Sequence, residues 1–345
     1  MIKVGLIGYG YWGSNLLRNF IANPAIEVLA VADPSEARRA EARRSAPSAC
    51  ICESGEEVIA LPEVDAVAIA TPVVSHYPLA RQALESAKHV LVEKPMARTV
   101  EESEHLIELA VRNKRVLMVD HTFLFTGAVQ KIRQMIERGE LGRISYIDSM
   151  RVNLGLFQPD VNVLWDLGPH DLSIIDYLFG EEPIYIEASG YCHVNAHLPD
   201  IAYLTLHFQS RTVAHLNLSW MSPVKVRRLA IGGSDKMLIW DDLNNEEKIK
   251  IYNSGIDFQS EHERDVVIPE YRIGDIFSPR IPTHEALAAV IEHFAEVIAG
   301  REASIMDGVK GLRVVRILEE SQKALDLGVA QVGRMRAREQ WAAAS

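Results

Sequence analysis

Three groups of residues in this chain combine the types and spacing that chemistry needs. The first is Gly8-Tyr9-Gly10-Tyr11-Trp12-Gly13. It follows an apolar run, Val4 to Ile7, that reads as a buried strand, and it opens onto an amphipathic stretch, Leu16 to Ile21, that reads as a helix. A second apolar run, Val28 to Ala32, ends in Asp33, twenty residues beyond Gly13. Strand, glycine turn, helix and later acid, in that order, form a dinucleotide-binding fingerprint. Gly8 permits the tight turn, Gly10 lets the backbone approach a pyrophosphate, and Gly13 lets helix and strand pack closely. The seat for the pyrophosphate is then the helix N-terminus, around Tyr11 and Trp12.

Asp33 bears on the choice of dinucleotide. A carboxylate there accepts hydrogen bonds from both adenosine ribose hydroxyls and repels a 2′-phosphate. Pro34-Ser35 follow it, with no arginine directly beside it in sequence. NAD is therefore expected over NADP. Arg38 and Arg39 lie one turn further on and leave dual use open.

The second group is Glu93-Lys94-Pro95, directly after an apolar run. Carboxyl ends of parallel strands face the ligand crevice, so Lys94 is expected to point towards a bound nicotinamide. Taken alone, a lysine after a strand is equally a surface group. The third group lies in Trp165-Asp166-Leu167-Gly168-Pro169-His170-Asp171. Pro169 is best tolerated in a first helical turn, which predicts a helix from about Pro169 to Leu178 with His170 near its start. If that turn is already helical, Asp166 and His170 share one face at i, i+4.

These groups need elements to position them. Strand candidates Val4–Ile7, Val28–Ala32, 66–70, 90–92 and 116–119 alternate with helical patterns near 14–22, 35–45, 77–87 and 100–113. Short, nearly uniform apolar strands with helical crossovers imply a parallel sheet covered on both faces. After a further helix near 128–137, six or seven strand-like runs appear between Ile144 and Tyr252. Their alternation fits an antiparallel sheet with one covered face. A loop-like stretch, Asn253 to Pro282, precedes two helices near 284–299 and 308–327.

A chain of 345 residues exceeds the size at which one core usually splits. Two domains are expected: residues 1–122 for the dinucleotide and 123–328 for substrate and oligomerisation, the last helices being free to pack back on the first. Residues 329–345 are expected to form a peripheral tail. A net charge of −11 argues against nucleic acid as a partner. No apolar run is long enough to span a bilayer, and the first strand starts too early to leave room for a signal peptide, so cytoplasm is the expected location. Of three cysteines, Cys50 and Cys52 lack a second ligand pair at zinc spacing, and no metal is expected.

The glycine fingerprint, Ala70-Thr71-Pro72 with His76, Glu93-Lys94-Pro95 and Asp166-x-x-x-His170 occur in one order and at one set of spacings. Together they resemble the Gfo/Idh/MocA oxidoreductases, which act on sugars, cyclitols and related alcohols with NAD or NADP. The likeness runs from about residue 1 to 328. It implies a Rossmann domain followed by an open-faced, mainly antiparallel sheet, an active site in the cleft between them, and a cis bond before Pro95. It also implies Lys94, Asp166 and His170 as catalytic residues. Cofactor contacts fall on Gly8, Gly10, Tyr11, Trp12, Gly13, Asp33, Thr71, Pro72, His76, Glu93 and Lys94. For Thr71 and His76 the alternative is loop structure and helix capping.

The chemistry agrees with those roles. Oxidising a secondary alcohol removes a hydroxyl proton while hydride leaves carbon for the nicotinamide. A histidine titrating near neutrality suits the base, and a lysine supplies positive charge where alkoxide character develops. Asp166 orients the substrate or the histidine. The sequence departs from the common family pattern at Asp120-His121, where many members have glycine, and at Ser173, often acidic. His121-Thr122-Phe123 is similar to the branch that processes sugar nucleotides, which makes His121 a candidate substrate contact. Arg151 and Asn153 alternate onto one strand face, where a guanidinium meets a diphosphate or is simply an exposed arginine.

The expected substrate is a nucleotide-linked sugar oxidised at a ring hydroxyl, C3 first. Rival readings are a keto-sugar-nucleotide reductase, a free sugar or cyclitol dehydrogenase, and a non-enzymatic NAD-binding regulator. An exposed sheet face makes a homodimer or homotetramer the expected assembly.

Overall fold

The computed structural model describes residues 1–155, 157, 161–195, 197–257 and 270–344, with side chains as far as residue 328 except at 256, 257, 270 and 271. The chain divides into two compact units, residues 1–126 with 284–316, and 127–283 with 317–345.

In the first unit six parallel strands lie in the order β3-β2-β1-β4-β5-β6. They are β1 (Ile2–Ile7), β2 (Ile26–Ala32), β3 (Cys50–Cys52), β4 (Ala66–Ile69), β5 (His89–Glu93) and β6 (Leu117–Asp120). Their connections are α1 (Tyr11–Ala22), α2 (Glu36–Ser45), α3 (Gly55–Ala60), α4 (His76–Glu85) and α5 (Val100–Asn113). Every residue of β4 and β6 is buried. Unbroken apolar strands are what a sheet covered on both faces requires.

Two elements were not expected. The three-residue edge strand β3 and the six-residue α3 are too short to show a period. Their signal is local: Ser54 and Glu57 form a reciprocal capping box that starts α3. The expected divide after residue 122 falls four residues later. The turn Thr122–Phe125 packs on α8 (Ala286–Ile298), within the first unit. Helix α8 also packs on α1, where Arg18 and Asn19 bind Glu285.

In the second unit eight strands form one sheet, β16-β13-β12-β11-β7-β10-β9-β8. They are β7 (Ile144–Leu154), β8 (Tyr185–Tyr191), β9 (Ile201–His207), β10 (Val213–Ser219), β11 (Met221–Gly233), β12 (Met237–Asp241), β13 (Ile249–Tyr252) and β16 (Ile276–Phe277). All pairs are antiparallel except β7 with β10. Helix α6 (Gly127–Glu137) packs on α7 (Val163–Phe179), which lies on β9 and β10. Under it Ala202, Leu204, Leu206, Ala214, Leu216 and Leu218 are fully buried. Each large one stabilises the sheet by roughly 1.5–3 kcal/mol. Tyr146, Met150, Tyr185 and Tyr203 are exposed, so the sheet is covered on one face.

The stretch 253–282, expected as loop, contains β16 and a small ribbon of β14 (Gly255–Asp257) with β15 (Glu270–Arg272). Strands of two or three residues are too short for alternation to reveal. Residues 258–269 lie outside the described residues. Helix α9 runs from Gly308 to Ala344, so the segment expected as a tail continues a helix up to the last residue, 345, which is not described.

Candidate active site

At the carboxyl end of β1, Gly8 has φ +93°, which only glycine adopts without strain, and a Cβ there would strike the Ala70 carbonyl. A Cβ at Gly13 would strike the Gly8 carbonyl. Gly10 differs, because its Cβ would meet nothing nearer than an Arg38 guanidinium nitrogen at 3.8 Å. Among the described residues no group near it demands a glycine, so its backbone is open to approach from outside. Helix α1 begins at Tyr11 with no side-chain cap and no acid in its first turn. Tyr11 and Trp12 are exposed there. An open helix N-terminus of this kind binds anionic phosphate through backbone N–H groups.

Asp33, just past β2, is buried. Its Oδ2 accepts from the Tyr9 backbone N–H at 2.8 Å and its Oδ1 from Ser35 at 2.9 Å. These bonds fix the orientation of the carboxylate. The alternative that Arg38 left open has a spatial basis. Arg38, a turn along α2, brings its guanidinium back to 3.6 Å from Asp33 Oδ2, so an arginine does stand beside the acid. Arg39 is buried and spent on the Asp33 and Pro34 carbonyls and on Glu36 and Glu53.

Thr71 and Pro72 follow β4, next to the glycine turn, and the Thr71 hydroxyl accepts from Ser75 at 2.8 Å. His76 opens α4 and is buried. Its Nδ1 lies 2.8 Å from the Pro95 carbonyl oxygen and its Nε2 2.8 Å from that of Thr71. Burial holds its pKa below the usual value, against these two carbonyls, which favour the charged ring. The cofactor contact expected of His76 is corrected: both ring nitrogens face backbone carbonyl oxygens, and the single N–H of the neutral ring donates to one of them. Its work is to clamp the loop after β4 to the loop after β5.

That second loop carries Lys94, half-buried, and the peptide bond from Lys94 to Pro95 is cis. Around Lys94 the polar groups are unusual. Glu93 and Asp120 end the neighbouring strands β5 and β6 opposite one another, and both are buried. His121 is buried, and among the described residues neither of its ring nitrogens has a hydrogen-bond partner. Burial, reinforced by the Lys94 charge, pulls its pKa down to about 3, so the ring is neutral. A buried imidazole with two unused nitrogens is an orphan that a ligand or water must satisfy. Sequence reasoning missed Asp120 as a site group, because its partner Glu93 lies 27 positions earlier in the chain and only the strand register unites them.

In the second unit, α7 starts six residues before the position expected for it. Asn162 caps it, accepting from Leu164 N–H at 3.0 Å and Trp165 N–H at 3.2 Å. Pro169 therefore sits inside the helix and leaves the Trp165 carbonyl without its helical donor. The first two turns bury Val163 and Leu164 completely, which offsets that loss. Gln322 of α9 reinforces the cap by accepting from Asn162 and from the Trp165 indole. Asp166 and His170 thus lie on one continuous helix at i, i+4, both half-buried. The Trp220 indole donates to Asp166 Oδ2 at 3.0 Å. Trp220 is buried, with Phe157 edge-on to it at 5.5 Å. No spacing rule in the sequence ties Trp220 to Asp166.

Arg151 is a further correction. It is neither exposed nor free for a diphosphate. Its side chain is 4% exposed and makes a bidentate pair with Asp171 of α7, at 3.0 and 2.8 Å. Strand β7 supplies a cation where α7 buries an acid beside His170. Arg227, opposite Arg151 on β11, lies 3.5 Å from Asp242. Burial and the Arg151 charge lower the Arg227 pKa, and Asp242 works against them. Asn153, two residues along β7, is half-buried.

Residues 2–121 match the model of an oxidoreductase family with an NAD-binding Rossmann fold, and residues 129–239 match the C-terminal domain model of the GFO/IDH/MocA group. The chain belongs to the Gfo/Idh/MocA oxidoreductase family. It is 31% identical over 317 residues, 91% of this chain and 94% of the other, to a UDP-N-acetylglucosamine 3-dehydrogenase from Acidithiobacillus ferrooxidans. A solved structure of that enzyme superposes with a TM-score of 0.80 at 29% identity, covering 95% of this chain and 99% of the other. A scyllo-inositol 2-dehydrogenase (NADP+) from Bacillus subtilis is 28% identical over 71% of this chain and 70% of its own length.

This Gfo/Idh/MocA member is accordingly a dehydrogenase for a sugar-like substrate, and its first unit is an NAD-binding Rossmann fold. Among the described residues no helix is long and apolar enough to cross a membrane.

Proposed function

We propose that this chain is an NAD-dependent dehydrogenase that oxidises a ring hydroxyl, at C3, of a nucleotide-linked sugar. The observation that carries this reading is its 31% identity, across nearly the whole of both chains, to a UDP-N-acetylglucosamine 3-dehydrogenase. The buried, unpartnered His121 within His121-Thr122-Phe123 supports it as a polar contact awaiting a ligand.

When bound, the dinucleotide supplies the hydride acceptor, and Gly8, Gly10, Gly13, Tyr11, Trp12 and Asp33 hold it. His170 takes the hydroxyl proton, Lys94 stabilises the developing alkoxide, and Asp166, held by Trp220, orients the reacting groups. A positioned base contributes about 10²–10⁴-fold. Cytoplasmic action as a homodimer or homotetramer accompanies this reading, with the exposed aromatic sheet face as the contact.

A substrate panel tests the proposal. NAD reduction is followed with UDP-N-acetylglucosamine, UDP-N-acetylgalactosamine, free glucose and scyllo-inositol. The UDP-sugars are expected to be strongly preferred. Equal turnover of the free sugars would remove the substrate assignment. Preference for inositol would favour the second reading, a cyclitol dehydrogenase, to which the 28% relative points. His170→Ala is expected to lower turnover by about 10²–10⁴-fold with NAD affinity nearly unchanged. Turnover within a few fold of the parent would overturn the base assignment.

A further inference from the structure

The pairing of β5 with β6 sets Glu93 against Asp120 at the carboxyl ends of adjacent parallel strands, the edge at which open α/β sheets take their ligands. Asp120 Oδ1 accepts the Thr122 hydroxyl at 2.7 Å, and the Lys94 backbone N–H donates to the Glu93 carboxyl. Among the described residues, one buried oxygen on each side chain, Glu93 Oε1 and Asp120 Oδ2, has no hydrogen-bond donor. The strand-end register nevertheless brings the two buried carboxyl groups side by side, each with an oxygen that lacks a donor. Two ionised carboxylates only accept and cannot satisfy each other; one proton between them would supply the donor that both lack. Burial first, and the Asp120 charge second, push the Glu93 pKa well above the carboxylate range. Burial raises Asp120 as well, against the Thr122 bond. Such a pair titrates as a unit.

We propose that Glu93 and Asp120 act as one acid holding a single proton, which leaves when the oxidised, cationic nicotinamide is bound and stays with the neutral reduced ring. This rests on the dinucleotide reading of the first unit. The direction follows from Coulomb's law in a poorly screened interior: a nearby positive ring favours the doubly ionised pair, and its loss favours the protonated one. Among the described residues few other charges face the pair. Lys94 is the adjacent cation, His121 is neutral, and His76 faces the Thr71 and Pro95 carbonyls. Asp307, bridged to Met118 of β6, is paired with Lys310.

The test counts protons released per dinucleotide bound by the full chain in weakly buffered solution at about pH 7–8. NAD+ is expected to release up to about one proton and NADH several-fold fewer. In Glu93→Gln and Asp120→Asn, where an amide donates in place of the shared proton, the difference is expected to vanish. Should a variant fail to fold, the infrared difference spectrum of the parent, NAD+-bound minus free, reads the same event as loss of a protonated-carboxyl C=O band. Equal counts for the two dinucleotides, a difference that persists in the variants, or an unchanged carboxyl band overturns the proposal. Failure of either dinucleotide to bind would overturn the dinucleotide reading with it, whereas binding with equal counts sinks the acid pair alone.

Discussion

The Trp220 indole N–H points at Asp166 Oδ2 across 3.0 Å, joining the residue between two strands to the first turn of α7. The bond fixes which way the carboxylate faces. A hydrogen bond to a charged acceptor is worth about 1.5–3 kcal/mol. Trp220→Phe removes the donor and keeps an aromatic ring. Turnover is expected to fall by about tenfold or more, with the NAD dissociation constant unmoved. Steady-state kinetics beside a dinucleotide titration checks this, and unchanged turnover would show that the orientation of Asp166 is immaterial.

The buried pair Arg151–Asp171 makes a stability prediction. Removing one partner strands a buried charge, so Arg151→Met is expected to cost about 3–5 kcal/mol. The double replacement Arg151→Met with Asp171→Leu is expected to recover most of it, because neither charge is then left alone. Chemical denaturation of the two variants decides, and additive losses would rule the coupling out.

On the proposed reading, Asp33 and Arg38, 3.6 Å apart, act in opposite senses on the dinucleotide. Asp33→Asn removes the charge that repels a 2′-phosphate and leaves Arg38 without its carboxylate partner. The ratio of NADP to NAD affinity is expected to rise at least tenfold, about 1.4 kcal/mol. Arg38→Ala is expected to move it the other way. Dinucleotide titrations measure both shifts, and comparable constants for NAD and NADP in the parent would cancel the NAD preference.

Acid should weaken the first unit through its neutral histidines. Burial, then the Lys94 charge, holds His121 down to about 3, and burial, then Arg115, holds His89 down to about 4. An unfolded histidine titrates near 6.5, so below that pH the unfolded chain binds the extra protons and stability falls with pH. For His121 the window runs from about 6.5 down to about 3, with a limiting slope of about 1.4 kcal/mol per pH unit. Glu93 acts in the opposite sense, since its raised pKa makes it lose stability as pH climbs above the ordinary carboxylate value. His121→Leu is expected to flatten the urea midpoint between pH 6.5 and 5, and an unchanged slope would mean that the ring is protonated in the fold.

Much was legible because some constraints are local. The glycine turn, the capping box at Ser54 and the apolar runs of β1, β2, β4, β5 and β6 are short-range patterns, and each dictates backbone geometry within a few residues. The i, i+4 placement of Asp166 and His170 followed from helix geometry alone. The start of α7 did not, because a buried Asn162 cap and the packing of Val163 and Leu164 outweighed the preference of Pro169 for a first turn. His76 and Arg151 went astray for a related reason. A polar residue's type announces what it can bind, and only its neighbours across the fold show whether that capacity is already spent.

The order of residues alone determined the parallel sheet and its glycine turn, since periodicity and spacing are written along the chain, and it supplied the polar groups proposed to act. Tertiary structure decided which of those groups remain available. Strand register set Glu93 against Asp120, burial silenced the charge on His121, and Asp171 claimed Arg151. Distances between residues far apart in sequence are set only when the core closes, and hydrogen-bond partners and local dielectric are set with them.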